Sequence, residues 1–219
     1  DIISTKDISW TVRTTLNYNR NKITSLFNGL DEYVFPETGI KLQVGKPYGE
    51  FFVVRRKGVD PRDGKQIWLD KYGNETKVYN EDDAVFVKKQ RYAPFSGGFG
   101  TFFSYRNLSL NADFAFALGK HALNNDKFFF ENAYGYGTTY NQSVNMLKMW
   151  TTPGQITDRP AATEQIYADD HLLENESFMR LKSLQLTYSL PERWMEKSKF
   201  FRRASIFAVG RNLFTVTKY

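Results

Sequence analysis

The sequence predicts an all-β fold, an antiparallel sheet of the membrane-barrel kind with long external loops, and three observations carry that expectation. Apolar residues alternate with polar ones over stretches longer than the five or six residues of an ordinary soluble strand. Aromatics make up 16% of the 219 residues, with 19 Phe and 13 Tyr. Barrels gather such rings in girdles at both membrane interfaces. No stretch approaches the ~20 consecutive apolar residues that a spanning helix needs, and the mean hydropathy is −0.52. A barrel strand crosses in about 9–11 residues, of which only alternate ones need be apolar, so a low mean hydropathy fits it.

The first element is Ile8–Asn19. Ile8, Trp10, Val12, Thr14, Leu16 and Tyr18 share one face, and Ser9, Thr11, Arg13, Thr15, Asn17 and Asn19 share the other. An aromatic stands near each end of the apolar face, with aliphatics between. Lipid asks for this order, because ring dipoles prefer the interfaces and aliphatics the hydrocarbon. Trp10, Val12, Leu16 and Tyr18 are therefore expected to face lipid.

Tyr48–Gly58 is read as the next strand, running upward, with Lys22–Lys46 on the periplasmic side. An external loop over Asp60–Tyr92 follows, holding a small hairpin of Gln66–Leu69 with Lys77–Tyr79 around Tyr72-Gly73-Asn74. Gly98–Tyr105 and Asn107–Leu118 then form a hairpin turning at Arg106-Asn107. Leu108, Leu110, Phe114 and Phe116 lie on its lipid face, and Asn111 and Asp113 on the face toward the lumen with Arg13 and Asn17. So tight a turn marks the periplasmic end.

From Gly119 to about His171 runs a long polar loop with one helix expected near Thr139–Trp150. Such a loop counts against a compact soluble domain and is ordinary between barrel strands. Leu184, Leu186, Tyr188 and Leu190 line a returning strand ended by Pro191. A turn through Trp194 and Phe200 leads to the last strand, Ala204–Phe214. The count is about six barrel strands.

Chemistry offers little. Cysteine is absent, which removes disulfides, thiolate metal sites and Cys nucleophiles. His121 and His171 stand in the inferred external loop without nucleophile-elbow or zinc spacing, and solvated loop residues describe them best. Asp60-x-x-Asp63-Gly64 with Asp70 departs from calcium-loop spacing and reads as a turn. Gly97-Gly98-x-Gly100 leads into a strand, so no helix N-terminus is present to hold phosphate, and close strand packing accounts for it. The net charge of +6 is spread over short groups such as Arg55-Arg56-Lys57, Lys88-Lys89 and Arg202-Arg203, which argues against nucleic acid. No catalytic residue, metal or cofactor is expected. Tyr134, Tyr136, Tyr140 and Trp150, set among Asn and Asp, form an aromatic group. It suits stacking on a sugar or an extended peptide, and it equally suits packing of the loop against its own barrel or a partner.

The residues also resemble a known family. Trp10–Leu26 (WTVRTTLNYNRNKITSL), Gly45–Gly49 with Phe51-Phe52 and Gly58-Val59-Asp60, and Pro94–Gly98 are similar, in order, to segments in the C-terminal third of SusC/RagA-family TonB-dependent transporters. So are Met149–Pro160, Ser177–Pro191 (SFMRLKSLQLTYSLP) and Gly210–Tyr219 (GRNLFTVTKY). The resemblance implies an outer-membrane, multi-pass barrel of a Gram-negative, Bacteroidetes-like cell, binding and gating without enzymatic chemistry. It implies a SusD-like surface lipoprotein as lid, TonB acting through an N-terminal part outside this chain, and an oligosaccharide or peptide as cargo. The chain departs from the family pattern in lacking a signal peptide, TonB box, plug and the final strands beyond Tyr219. Residues 1–219 are thus expected to be a partial C-terminal barrel region that contacts its own plug, the rest of its barrel and outer-membrane lipid. About 22 strands close such a barrel around a plug, so six cannot make a pore. A passive outer-membrane channel or adhesin barrel, and a soluble β-sandwich carbohydrate-binding module or hydrolase domain, remain as alternatives. The last would need shorter strands and loops.

Overall fold

The computed structural model describes residues 1–35, 39–196 and 200–219. The chain opens with β1 (Ile3–Ser4) and β2 (Ile8–Tyr18). Residues 20–92 then form β3 (Glu32–Phe35), β4 (Ile40–Gln43), β5 (Glu50–Val53), β6 (Arg55–Val59), β7 (Gln66–Leu69), β8 (Glu75–Thr76) and β9 (Val85–Gln90). The long strands β10 (Phe95–Tyr105) and β11 (Leu108–Leu118) follow. Next come β12 (His121–Leu123), α1 (Asn125–Phe130), α2 (Ala133–Tyr136) and β13 (Leu173–Asn175). The chain finishes with β14 (Phe178–Ser189), α3 (Glu192–Met195) and β15 (Ser205–Thr217). Contacts divide it into two units. One comprises residues 1–19, 93–119 and 176–219; the other comprises 20–92 and 120–175.

The first unit is a six-stranded antiparallel sheet in the order β1-β2-β10-β11-β14-β15. Its long strands run 11 to 13 residues, membrane-crossing length. Tyr18, Phe95, Leu118, Phe178 and Thr217 end together at one edge, and Ile8, Tyr105, Leu108, Ser189 and Ser205 at the opposite one. At the second edge the β10–β11 turn is tight, with Arg106 in the left-handed region at φ 51° and its N–H donating to Asp7 O at 2.8 Å. β14 stops at Ser189, before Pro191, which has no N–H to give a ladder.

Two expectations need correction here. Tyr48–Gly58 is not a strand of this sheet, because β2 pairs directly with β10 from Ile8 to Tyr18. The segment splits at Val54 into β5 and β6, which join separate small sheets. Its order Phe-Phe-Val-Val-Arg-Arg-Lys lacks a period of two, and that is the physical reason it cannot offer lipid one apolar face. The sixth strand is β1. In consequence Lys22–Lys46 leaves the Tyr18 edge, shared with the long connection after Leu118, and not the tight-turn edge; its residues 36–38 lie outside those described. Residues 197–199 of the expected Trp194–Phe200 turn also lie outside.

The second unit has a small core of Phe51, Val53 and Leu173, with Val87 and Leu123 packed on it. Around it stand a four-stranded sheet (β3-β4-β5-β9), a three-stranded sheet (β6-β7-β8) and the pair β12-β13. The expected Tyr72-Gly73-Asn74 turn is present, but β7 pairs with Glu75–Thr76 and not with Lys77–Tyr79. Asp70 explains this shift: its carboxylate accepts from the N–H groups of Tyr72 and Asn74, at 2.9 and 2.8 Å, and tightens the turn. The helix expected near Thr139–Trp150 is only a 3-10 segment, Val144–Lys148. The α-helical turns lie earlier, where Asn124 and Asn132 cap α1 and α2 by accepting backbone N–H groups.

Candidate functional site

The ladders sort the sheet's side chains by face. Trp10, Val12, Leu16 and Tyr18 of β2 lie opposite Phe103, Thr101, Gly97 and Phe95, which lie opposite Leu110, Ala112, Phe116 and Leu118. Leu108 and Phe114 fall on this same face, opposite Tyr105 and Phe99. It continues through Met179, Leu181, Leu184, Leu186 and Tyr188 to Ile206, Ala208, Phe214 and Val216. All eight residues expected to meet lipid thus share one face of one sheet. Phe99 and Phe114 stack at 4.5 Å in its middle, and Tyr18 lies against Phe95 at 4.9 Å near its rim. The face is open: Leu16 is 76% exposed and Ile206 67%.

A bulge hid the Met179–Leu181 part of this face from sequence reading. Between Phe114 and Asp113 the β14 register slips, so Leu181 and Leu184 fall on one side although three residues apart. Lys182 is the extra residue, and β15 answers with a register shift at Asn212, in the left-handed region at φ 51°.

The opposite face carries Arg13, Asn17, Asn111 and Asp113, as the alternation requires. Arg13 Nη2 donates to Asp113 Oδ1 at 3.1 Å, Asn111 Nδ2 to Asp113 Oδ2 at 2.9 Å, and Asn17 Nδ2 to Ser96 Oγ at 3.3 Å. Arg13 and Asp113 are two strands apart, and the residue between them is Gly100. A Cβ there would stand 2.5 Å from Asp113 Oδ1 and 3.3 Å from Arg13 Nη2. The third glycine of Gly97-Gly98-x-Gly100 is therefore the window through which the ion pair crosses β10.

In the second unit the aromatic group splits. Tyr136 is the hub of a ring cluster, 5.0 Å from Phe129, 5.7 Å from Tyr140 and 6.0 Å from Phe128. Tyr134 is 62% exposed. Trp150 packs elsewhere, over the Asp60–Gly64 turn, with Nε1 donating to Pro61 O at 3.0 Å. Gly64 sits beneath it at φ 72°, where a Cβ would come within 2.4 Å of the indole. Among the described residues no ring contact joins Trp150 to the three tyrosines.

The aspartates weighed as a calcium loop are engaged otherwise. Lys77 Nζ donates to Asp60 Oδ2 at 2.7 Å and to Asp63 Oδ2 at 2.8 Å, and Arg62 clasps the Asp60 carboxylate. The hydrogen bonds from Arg62, then those from Lys77, hold Asp60 well below the usual carboxylate range. An ammonium occupies the place a cation would take, and no metal-ligating group of three acidic or histidine residues exists among the described residues.

Sequence reasoning missed a buried polar network that ties distant parts of this unit together. Arg159 Nη2 pairs with Glu131 Oε2 at 2.9 Å, both side chains less than a tenth exposed, and Asn145 Nδ2 donates to Glu131 Oε1 at 2.7 Å. Arg159 Nη1 lies 2.7 Å from His171 Nε2. Trp68 Nε1 donates to Asp169 Oδ2 at 2.8 Å, and the Arg56 N–H donates to Asp170 Oδ1 at 2.8 Å. His171 is thus no solvated loop residue: burial, with the Arg56 and Arg159 charges, lowers its imidazole to about 3. Burial pushes the Asp169 carboxyl up to about 6, against the Trp68 hydrogen bond and the Arg56 charge. Among the described residues neither side chain hydrogen-bonds to a Ser, Thr or Lys side chain. The arrangement is an ion-paired brace, and no motif spacing announces it because bonded members lie up to 114 residues apart.

Comparison with known proteins places these features. No family model matches the chain. The TonB-dependent receptor P3 of Formosa agariphila is 25% identical over 241 residues, covering 99% of this chain and 23% of that protein. The RagAB peptide transporter superposes with a TM-score of 0.90 at 38% identity, covering 100% of this chain and 25% of that one. The RagAB peptide importer in its open-open state gives 0.87 at 38% identity, over 99% of this chain and 24% of that one. The relatives are a receptor and a transporter, not enzymes, and the chain spans about a quarter of their length. These matches bear out both the antiparallel β-barrel segment and the SusC/RagA resemblance: along its whole length the chain corresponds to part of a TonB-dependent receptor of that type.

Proposed function

We propose that this chain is the C-terminal barrel portion of an outer-membrane, TonB-dependent importer that takes up a nutrient together with a SusD-like surface lipoprotein. The observation that carries the reading is the two-faced sheet. An aromatic-rimmed apolar face runs without a break from Trp10 to Val216, backed by a polar face cross-linked through Arg13 and Asp113. Such a sheet has one solvent on each side, hydrocarbon and water, which is the condition of a barrel wall. In the full receptor the apolar face meets lipid and the polar face meets the plug and the water around it. The connections at 20–92 and 120–175 are external, and the Tyr134, Tyr136 and Tyr140 group belongs to the part that meets cargo or lipoprotein. Peptide is favoured over oligosaccharide as cargo, because the superposing structures are of a peptide transporter. TonB engages a part of the receptor outside this chain.

The test is uptake by cells deleted for the full-length gene and complemented with it, supplied with isotope-labelled peptide and oligosaccharide pools. Uptake of labelled peptide that disappears when TonB is removed is the expected result. Uptake independent of TonB would indicate a passive channel, and recovery of the full-length protein from the soluble fraction without detergent would overturn the barrel reading.

A further inference from the structure

The second unit holds a cavity of about 480 Å³ that the reading above does not use. That volume falls within the roughly 300–1,000 Å³ of small-ligand pockets. Its floor is set by buried side chains, Val53, Val54, Ile166 and Leu172, each at most 4% exposed, so the cavity is preformed. Tyr79 and Tyr167 enter its lining as a stacked pair, 4.1 Å apart and 7° from parallel, held edge-on by Trp68. Burial, reinforced by the Glu81 and Asp169 carboxylates, raises the Tyr79 hydroxyl to about 12, so it stays neutral.

The polar side chains of the described lining are Glu81, Asn125, Gln165 and the two tyrosines, and Glu81 alone carries a charge; the Gln165 amide is already taken, donating to Ile166 O at 3.0 Å. Glu81 stands at the rim as the first residue of a Glu81-Asp82-Asp83 turn, and it makes no ion pair among the described residues. Asn125, also exposed at the rim, makes no side-chain hydrogen bond among the described residues. Lysine, arginine and histidine are absent from the described lining. A sugar is ringed by hydroxyls, and those that met the Val, Ile, Leu and Phe side chains of this lining would each be a costly unpaired polar group. An apolar side chain would lose nothing there. A positive charge beside it would find the Glu81 carboxylate and the tyrosine faces.

We propose that this cavity takes an apolar amino-acid side chain of a peptide whose ammonium group, at the N-terminus or on an adjacent lysine, faces Glu81. The inference rests on the importer reading for its context and deepens it by naming a subsite and a peptide class.

The experiment uses the full receptor with its lipoprotein in detergent micelles. The probe is a pentapeptide with p-benzoylphenylalanine first, followed by Gly-Ser-Gly-Ser, irradiated and mapped by mass spectrometry. Crosslinks are expected on residues 52–54 or 165–168. Ala84→Phe, which fills the cavity from its wall, should reduce them at least about tenfold, the effect of losing one buried side chain's worth of apolar contact. Glu81→Gln, which disturbs no packing, should weaken binding about threefold, as should acetylating the peptide; an acetylated peptide with lysine second should regain it. Crosslinks confined to other segments would overturn the proposal. So would crosslinking indifferent to Ala84→Phe, or to both Glu81→Gln and acetylation. Uptake of the same peptide by TonB-proficient cells separates the two readings. Uptake without the crosslink removes only the cavity, and the crosslink without uptake removes only the importer.

Discussion

The two units place their apolar residues in opposite ways. In the loop unit Phe51 is 1% exposed, Trp68 2% and Leu172 0%, gathered around a core as in any protein folded in water. In the sheet, only Ala112 and Leu181 of a whole apolar face are buried, and the aliphatics stand outward. Polar groups are reversed too. The sheet pairs Arg13 with Asp113 on an open face, whereas the loop unit buries Arg159 with Glu131. The difference is what the proposed importer reading requires of one chain in two solvents. On that reading the sheet leaves apolar area outside because hydrocarbon accepts it, while the loop unit meets water and makes its own interior.

The largest effect should come from breaking the interior of the loop unit. Arg159→Ala leaves Glu131 buried without its cation, which costs about 3–5 kcal/mol. Amide exchange of the full receptor should show residues 120–175 losing protection while β10 and β11 keep theirs. Equal loss in both units would mean that they are not separately stabilised.

A charge on the sheet's apolar face comes next. Phe114→Arg should destabilise the barrel by about 2–4 kcal/mol, measured by reversible unfolding from bilayers. Thr15→Arg, on the polar face, should change it by less than about 1 kcal/mol. Similar costs at the two positions would remove the assignment of solvents to faces.

Acidity should act on the loop unit alone. Asp169, raised to about 6, contributes stability that is full below its unfolded value near 4 and lost as pH rises through 6. His171, lowered to about 3, contributes stability present above its unfolded value near 6.5 and lost as pH falls toward 3. Between about pH 4 and 6 the slopes oppose and nearly cancel. With His171→Gln the unit should become more stable on acidification across that window, by up to about 1.4 kcal/mol per pH unit; with Asp169→Asn it should become less stable. Exchange corrected for the intrinsic amide rate reads both signs, and a flat response in both variants would show that neither group titrates as its burial demands.

The smallest effect belongs to the polar face. Gly100→Ala should separate Arg13 from Asp113, a pair exposed enough to be worth only about 0.2–1 kcal/mol. A double-mutant cycle with Asp113→Asn checks it, and additivity would mean that the glycine serves something else.

The legible parts of the fold were those governed by near neighbours. Period two carried β2, β11 and the C-terminal half of β14 because in each the residues that share a face are two apart. It failed at Lys182, where one inserted residue moves Leu181 and Leu184 onto the same face, and Tyr48–Gly58 was read as a barrel strand with no period of two to support it. The aromatic group was legible as composition only. Tyr136 and Tyr140 meet, while Trp150 lies on a different turn.

By itself the sequence determined the all-β class, the apolar face of Trp10 and Leu108, the Arg106 turn and the polar row of Arg13 and Asp113, since each follows from alternation or turn chemistry within a dozen residues. Only the tertiary structure decided which strands are neighbours, that Gly100 opens a path for the ion pair, and that Arg56, Trp68, Glu131, Arg159, Asp169 and His171 share one interior. Pairing and burial join residues far apart in the chain, and their partners have no period by which a sequence could announce them.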